Sequence, residues 1–154
     1  MSTLALDLGT RTGWALLGRD GEIISGVAEF KQDRWQGGGM RFLRFRSWLD
    51  EVSRLAGGFD QLLYEQVRRH AGTDASHLYG GWLAILEVWC EQKSVAYRGV
   101  PVGTIKKFAT GKGNADKAAM VVAMRARGHT PSDDNEADAI ALLLWAIETE
   151  GGVR

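Results

Sequence analysis

Three acids stand where acids are costly. Asp7 lies in Leu4-Ala5-Leu6-Asp7-Leu8-Gly9, Glu65 in Leu62-Leu63-Tyr64-Glu65-Gln66-Val67, and Asp138 beyond the first turn of a segment beginning Pro131-Ser132-Asp133-Asp134-Asn135-Glu136-Ala137. The first two runs read as buried strands, in which an ionised carboxylate is expensive unless it is paired or binds a metal. Asp134 and Asp138 are spaced i, i+4, and Asn135 and Asp138 i, i+3, so either pair shares a helix face with its second member. Convergence of these groups makes a set of oxygen ligands with no histidine or cysteine among them. Such a set suits a hard cation, most naturally Mg²⁺. Two such ions about 3.5–4 Å apart support phosphodiester cleavage, one face activating water and the other stabilising the leaving oxygen.

The elements must bring these acids together. Leu4, Leu6 and Leu8 take one face of the first strand and Ala5 and Asp7 the other. A glycine turn leads to a second strand through Trp14-Ala15-Leu16-Leu17, and Gly18-Arg19-Asp20-Gly21 to a third over Ile23–Phe30. After a polar, glycine-rich loop with Arg34 and Trp35, Phe42, Phe45, Leu49 and Val52 mark a helix over Met40–Leu55, ended by Gly57-Gly58. Strand–helix–strand order predicts that the Glu65 strand runs parallel beside the first, with Glu65 next to Asp7. Sites in open α/β sheets gather at those carboxyl ends.

A helix over Asp74–Lys93 follows, with Leu78, Trp82, Ile85, Leu86 and Trp89 on its apolar side. Its Gly80-Gly81 pair suggests close approach by another backbone, from a neighbouring helix or a second subunit. Val95–Val100 is the last strand, and Thr104–Thr110 a short helical turn. Asn114 is the expected N-cap of a helix through Arg127, stopped by Gly128. Lys117 falls in its first turn, and a glycine turn before a helix N-terminus suits phosphate. The final helix opens with Asp133 and Glu136 in the pattern of a capping box.

Composition bounds the reading. The chain has 154 residues, 45% hydrophobic and 25% charged, as expected for one globular domain over 1–154. No apolar run is long enough for a membrane span, and Met1-Ser2-Thr3 enters a strand directly, so no signal peptide is expected. The lone Cys90 rules out an intrachain disulfide and fits a reducing cytoplasm. The net charge is zero, yet Arg98–Gly128 holds seven basic residues against one acid, and His129–Arg154 six acids against one base. That basic segment is a candidate footprint for phosphate.

Asp7 in LALDLGTRTGWALL, Glu65 in LLYEQV, the run TIKKFATGKGNADKAAMVVAM and the tail NEADAIALLLWA resemble, in order, the four motif blocks of RuvC-type Holliday junction resolvases. The likeness spans nearly the whole chain, and the DDNEADA spelling looks more like phage-type members. It implies an α/β, RNase H-like fold, a mixed five-stranded sheet with helices on both faces. It implies a cytoplasmic enzyme of a bacterial or phage-infected cell that works as a homodimer. Its two sites would nick opposing strands of a four-way DNA junction, with two Mg²⁺ or Mn²⁺ per site, leaving 5′-phosphate and 3′-hydroxyl ends.

By the same resemblance Asp7, Glu65 and Asp138 match the family's acids; the mechanism expected from them sets Asp7 between two ions, with Glu65 and Asp138 holding one each. The family's fourth ligand, usually Asp or His, falls on Asn135. Either Asn135 is a weaker ligand or the adjacent Asp134 substitutes. Lys106 and Lys117 match basic residues near the scissile phosphate, with Lys117 also a catalytic candidate; Lys107 and Lys112 are general phosphate contacts, and the basic loop contributes Arg68 and Arg69. The helix with Gly80-Gly81 matches the family's dimer helix. Many members carry an aromatic three residues after the glutamate, where this chain has Arg68. Three other readings compete: a YqgF-like nuclease acting on RNA precursors, an actin-like ATPase, for which the chain is too short, and a junction-binding protein that has lost cutting.

Overall fold

The computed structural model describes residues 1–150. Arg154, counted above with the C-terminal charges, and the expected boundary at 154 lie outside the described residues. In chain order the elements are β1 (Thr3–Asp7), β2 (Arg11–Leu17), β3 (Ile23–Glu29), α1 (Met40–Ala56), β4 (Gln61–Gln66), α2 (Thr73–Lys93), β5 (Ala96–Pro101), α3 (Val102–Thr110), α4 (Lys117–Ala126) and α5 (Asp134–Thr149). The five strands form one mixed sheet in the order β3-β2-β1-β4-β5. β1 is antiparallel to β2 and parallel to β4, and β5 is parallel to β4. The expected mixed five-stranded sheet, covered on both faces, is the one observed.

Strand alternation divides the core. Leu4, Leu6 and Leu62 face α1 and α2, where they meet Phe45, Leu49, Trp82, Leu86 and Trp89. Each such side chain, fully buried, contributes roughly 1.5–3 kcal/mol. Around Trp82 the layer is aromatic: Phe30, Phe42 and Phe45 have ring centroids 4.6–5.8 Å from it. Ala5, Ala15 and Leu63 face the other way, towards α3, α4 and α5. That layer is small and aliphatic. Ala137, Ala139, Ala141 and Ala146 of α5 are all buried in it, so α5 can sit close to the strands.

The helix ends correct two expectations. α4 is capped by Asp116, not Asn114: the Asp116 carboxylate accepts from the Ala119 N–H at 2.8 Å. Asp116 has the extended backbone a cap requires, and its oxygen satisfies a free N–H of the first turn. Asp133 caps α5 by accepting from Glu136 N–H at 2.9 Å, but Glu136 does not close a capping box. Its carboxylate accepts from Ser132 N–H and Oγ and from Ser25 Oγ of β3, tying the helix start to the sheet. Gly81 admits the Phe42 ring, which an added Cβ would meet at 2.8 Å, while Gly80 faces open space. At Gly81 the close approach comes from the neighbouring helix α1, by a side chain rather than by its backbone. Among the described residues, no helix is long and apolar enough to cross a membrane.

Candidate active site

Asp7 is the last residue of β1, and the parallel register sets Leu6 opposite Tyr64. The next residues along, Asp7 and Glu65, therefore stand side by side at the strand ends. Glu65 is held by its backbone. Tyr79 of α2 donates its hydroxyl to the Glu65 carbonyl at 2.9 Å and accepts from Val67 N–H at 3.2 Å. Asp138 arrives from α5, whose first turns lean on the same end of the sheet.

Two features bring α5 to this position. Gly13, paired with Asp7 across β1 and β2, lies directly beneath the Asn135 peptide. A Cβ on Gly13 would stand 1.9 Å from the Asn135 carbonyl oxygen. Arg11 then bridges outward, donating to Asp133 at 2.9 and 3.2 Å and to Glu29. Neither residue is singled out by the reading of the sequence. The structure extends β2 back to Arg11 and so puts Gly13 inside a strand rather than in the expected turn; a strand-interior glycine marks such an approach, and nothing local marks the Arg11 bridge.

Asp7, Glu65 and Asp138 each present a carboxylate oxygen, and the three oxygens lie within 4.8 Å of one another. Glu65 is buried and the other two are partly exposed. Burial, then the negative charges of Glu65 and Asp138, holds Asp7 well above the usual carboxylate range. Burial raises Glu65 as well. Asp138 is pushed up to about 8, by burial first and then by Glu65 and Asp134, against the pull of Lys106 and Lys117. Glu65 Oε2 and Asp138 Oδ1 are buried with no hydrogen-bond partner among the described residues. Repelling acids with orphaned oxygens need added positive charge to ionise together. The all-oxygen donor set fits a hard divalent cation.

The acids floor a cleft of ≈ 250 Å³ lined also by Lys106, Lys117, Met120, Asp134 and Asn135. Asp134 stands outside the three-carboxylate group, 4.0 Å from the exposed Lys117 Nζ. Asn135 donates its amide nitrogen to Asp133 at 3.3 Å, leaving its oxygen as the atom with acceptor capacity to offer. Arg68 and Arg69 join Lys106 and Glu65 around an adjoining groove of ≈ 460 Å³. Lys107 and Lys112 line neither space.

No family model matches the chain, and no curated protein matches it in sequence. Solved structures do match. T. thermophilus RuvC in complex with a Holliday junction substrate aligns at a TM-score of 0.75 and 18% identity, over 92% of this chain and 89% of that one. A second Thermus thermophilus RuvC structure aligns at 0.74 and 17% identity, over 97% of both chains. The yeast mitochondrial Holliday junction resolvase Ydc2 aligns at 0.55 and 11% identity, over 99% of this chain and 70% of that one. At these identities the likeness is one of fold, and the shared fold is RNase H-like, as the sequence motifs imply.

Proposed function

We propose that this chain, as a single domain over 1–154, is a structure-selective endodeoxyribonuclease of RuvC type. It resolves four-way DNA junctions by paired nicks, leaving 5′-phosphate and 3′-hydroxyl ends. It acts as a homodimer in the cytoplasm of a bacterial or phage-infected cell. The observation that carries the reading is the buried carboxylate triad with two unpartnered oxygens, set in a fold like that of a RuvC solved with a Holliday junction substrate.

Asp7, Glu65 and Asp138 would hold Mg²⁺ or Mn²⁺, two ions per site, with Asp134 or Asn135 completing the set. When bound, divalent ions supply Lewis-acid charge for phosphodiester hydrolysis. The chain's own groups position the substrate. Lys106 and Lys117, at the cleft wall, attract the phosphate and offset negative charge developing on it. Arg68 and Arg69 extend positive charge along the adjoining groove, where a DNA backbone can run. Lys107 and Lys112 add long-range attraction.

The test is cleavage of a labelled immobile four-way junction with and without Mg²⁺, beside linear duplex, a fork and an RNA–DNA hybrid. Paired symmetrical nicks in the junction are expected, and Asp7→Asn is expected to reduce them to background. Wild-type cutting by Asp7→Asn refutes the site. Cutting of the hybrid alone would point to RNA processing. Tight junction binding without cutting would mark a binding protein, with the neutral Asn135 the first suspect.

A further inference from the structure

The loop over residues 31–39 presents one aromatic side chain to solvent. Trp35 is 82% exposed. A single exposed apolar residue is ordinary, but this one is displayed by a built turn. Asp33 Oδ1 accepts from Trp35 N–H at 2.9 Å, and Gln36 N–H donates to the Asp33 carbonyl at 3.0 Å. Gln32 donates its side-chain amide to the carbonyls of Asp33 and Gln36, both at 3.3 Å. Arg44 of α1 fastens the turn from below, donating to Gln36 Oε1 at 2.6 Å and to the Lys31 carbonyl. The Arg34 guanidinium lies 4.8 Å from the Trp35 ring centroid.

Position and charge say what this turn meets. Its root is at the end of the sheet that carries the acids: Phe30 N–H donates to the Thr10 carbonyl at 2.7 Å, and Arg41 donates to Thr10 Oγ1. Thr10 follows Asp7 by three residues. Between residues 30 and 46 the chain places Lys31, Arg34, Arg41, Arg44 and Arg46 against the single acid Asp33. The nearby Glu29 is engaged by Arg11 and Lys31. Cβ positions at Gly37, Gly38 and Gly39 meet nothing within 4 Å, so a partner backbone can approach them. An exposed indole with a guanidinium beside it, on a basic surface, is a stacking platform for nucleobases.

We propose that the Arg34–Trp35 turn is a base-stacking subsite that receives an unpaired or splayed base at the branch of the DNA substrate. The proposal rests on the nuclease reading and adds a recognition element to it, after the edge strand β3, whereas Arg68 and Arg69 follow β4 on the other side of β1.

The experiment measures affinity, in EDTA to hold cleavage off, for a four-way junction carrying 2-aminopurine at the branch and for linear duplex. Wild type, Trp35→Ala and Trp35→Phe are compared. Alanine should weaken junction binding on the order of 10-fold and abolish the change in 2-aminopurine fluorescence, with little effect on duplex. Phenylalanine, which keeps a π-face, should restore most of both. Thermal unfolding of the two variants should match wild type, since the indole is almost wholly in solvent. Unchanged junction affinity and fluorescence in Trp35→Ala, while wild type still nicks junctions, overturns the subsite and leaves the nuclease reading standing. Unchanged DNA binding with an altered oligomeric state also overturns it, and assigns Trp35 to contact between proteins. No branched-DNA binding by wild type overturns both readings.

Discussion

Gly13 is the most demanding position around the acids, and Gly13→Ala tests how they are assembled. The new methyl would stand 1.9 Å from the Asn135 carbonyl oxygen, 2.3 Å from its carbon and 2.9 Å from Glu136 nitrogen. All three are backbone atoms, so no side-chain rotation relieves the clash. Ordinary contact begins at 3.4 Å, so strand and helix must part by about 1.5 Å. Overpacking usually costs about 1–3 kcal/mol, and backbone on both sides places this case at the upper end, about 3 kcal/mol. At ~2–4 °C per kcal/mol for a chain of this size, Tm should fall by about 6–12 °C. The displaced turn carries Asp134, Asn135 and, one turn on, Asp138. A displacement of about 1 Å at a reacting centre can cost on the order of 100-fold in rate, so junction nicking should fall by at least that much at a temperature where the variant is folded. The assays are calorimetry and single-turnover nicking. A variant with wild-type Tm and wild-type rate would refute the idea that Gly13 seats α5.

Two further outcomes follow from the same geometry. Without divalent cations, Asp7, Glu65 and Asp138 all hold protons more tightly in the folded chain than unfolded. The folded state then binds more protons than the unfolded, so their contribution is present near pH 4 and lost as pH rises towards 8. Asp60, Asp133 and Glu136 are shifted downward, so their contribution is lost as pH falls and does not decline between pH 5 and 8. In EDTA the urea midpoint should be lower at pH 8 than at pH 5, and Mg²⁺ should raise it at pH 8; a midpoint indifferent to both would refute the acid cluster as a cation site. Tyr79→Phe removes both hydrogen bonds that fasten the backbone beside Glu65, a change of about 1 kcal/mol. We expect kcat for nicking to fall about fivefold with KM held, as a loss of 1 kcal/mol implies; unchanged kcat with lowered Tm would make the contact purely structural.

What was legible in the sequence follows from period and cost. Alternation in Leu4-Ala5-Leu6-Asp7 placed Asp7 on the face opposite the leucines, which in the structure is the α5 side, and strand–helix–strand order placed Glu65 beside it, because both rules are local or topological. The same holds for Phe45 and Leu49 on α1. The positions that were missed depend on which atoms of distant segments meet. Asn114 is a good cap by type, but α4 starts at Lys117, two residues later than a cap at Asn114 would set it, and Asp116 takes the role. Glu136 has the spacing of a capping box, yet Ser25, from a strand 111 residues away, competes for its carboxylate. Gly13 reads as part of a turn until α5 is laid across it. Lys107 and Lys112 share a basic segment with Lys106 and Lys117, but only the latter two turn to the cleft.

The contrast between the two packing layers has a spectroscopic consequence. Trp14, Trp48, Trp82 and Trp89 all belong to the layer of α1 and α2. The layer of α5 holds only Trp145, partly buried, with Arg98 5.4 Å from its ring centroid. Trp35 stands in solvent. Intrinsic fluorescence thus samples the aromatic side of the sheet several times over and the side that delivers Asp138 through one indole. A detachment of α5 would leave most of the emission undisturbed. Followed by that signal alone, a protein that had already lost its third acid would look native. A probe placed on α5 itself is needed to see the two events apart.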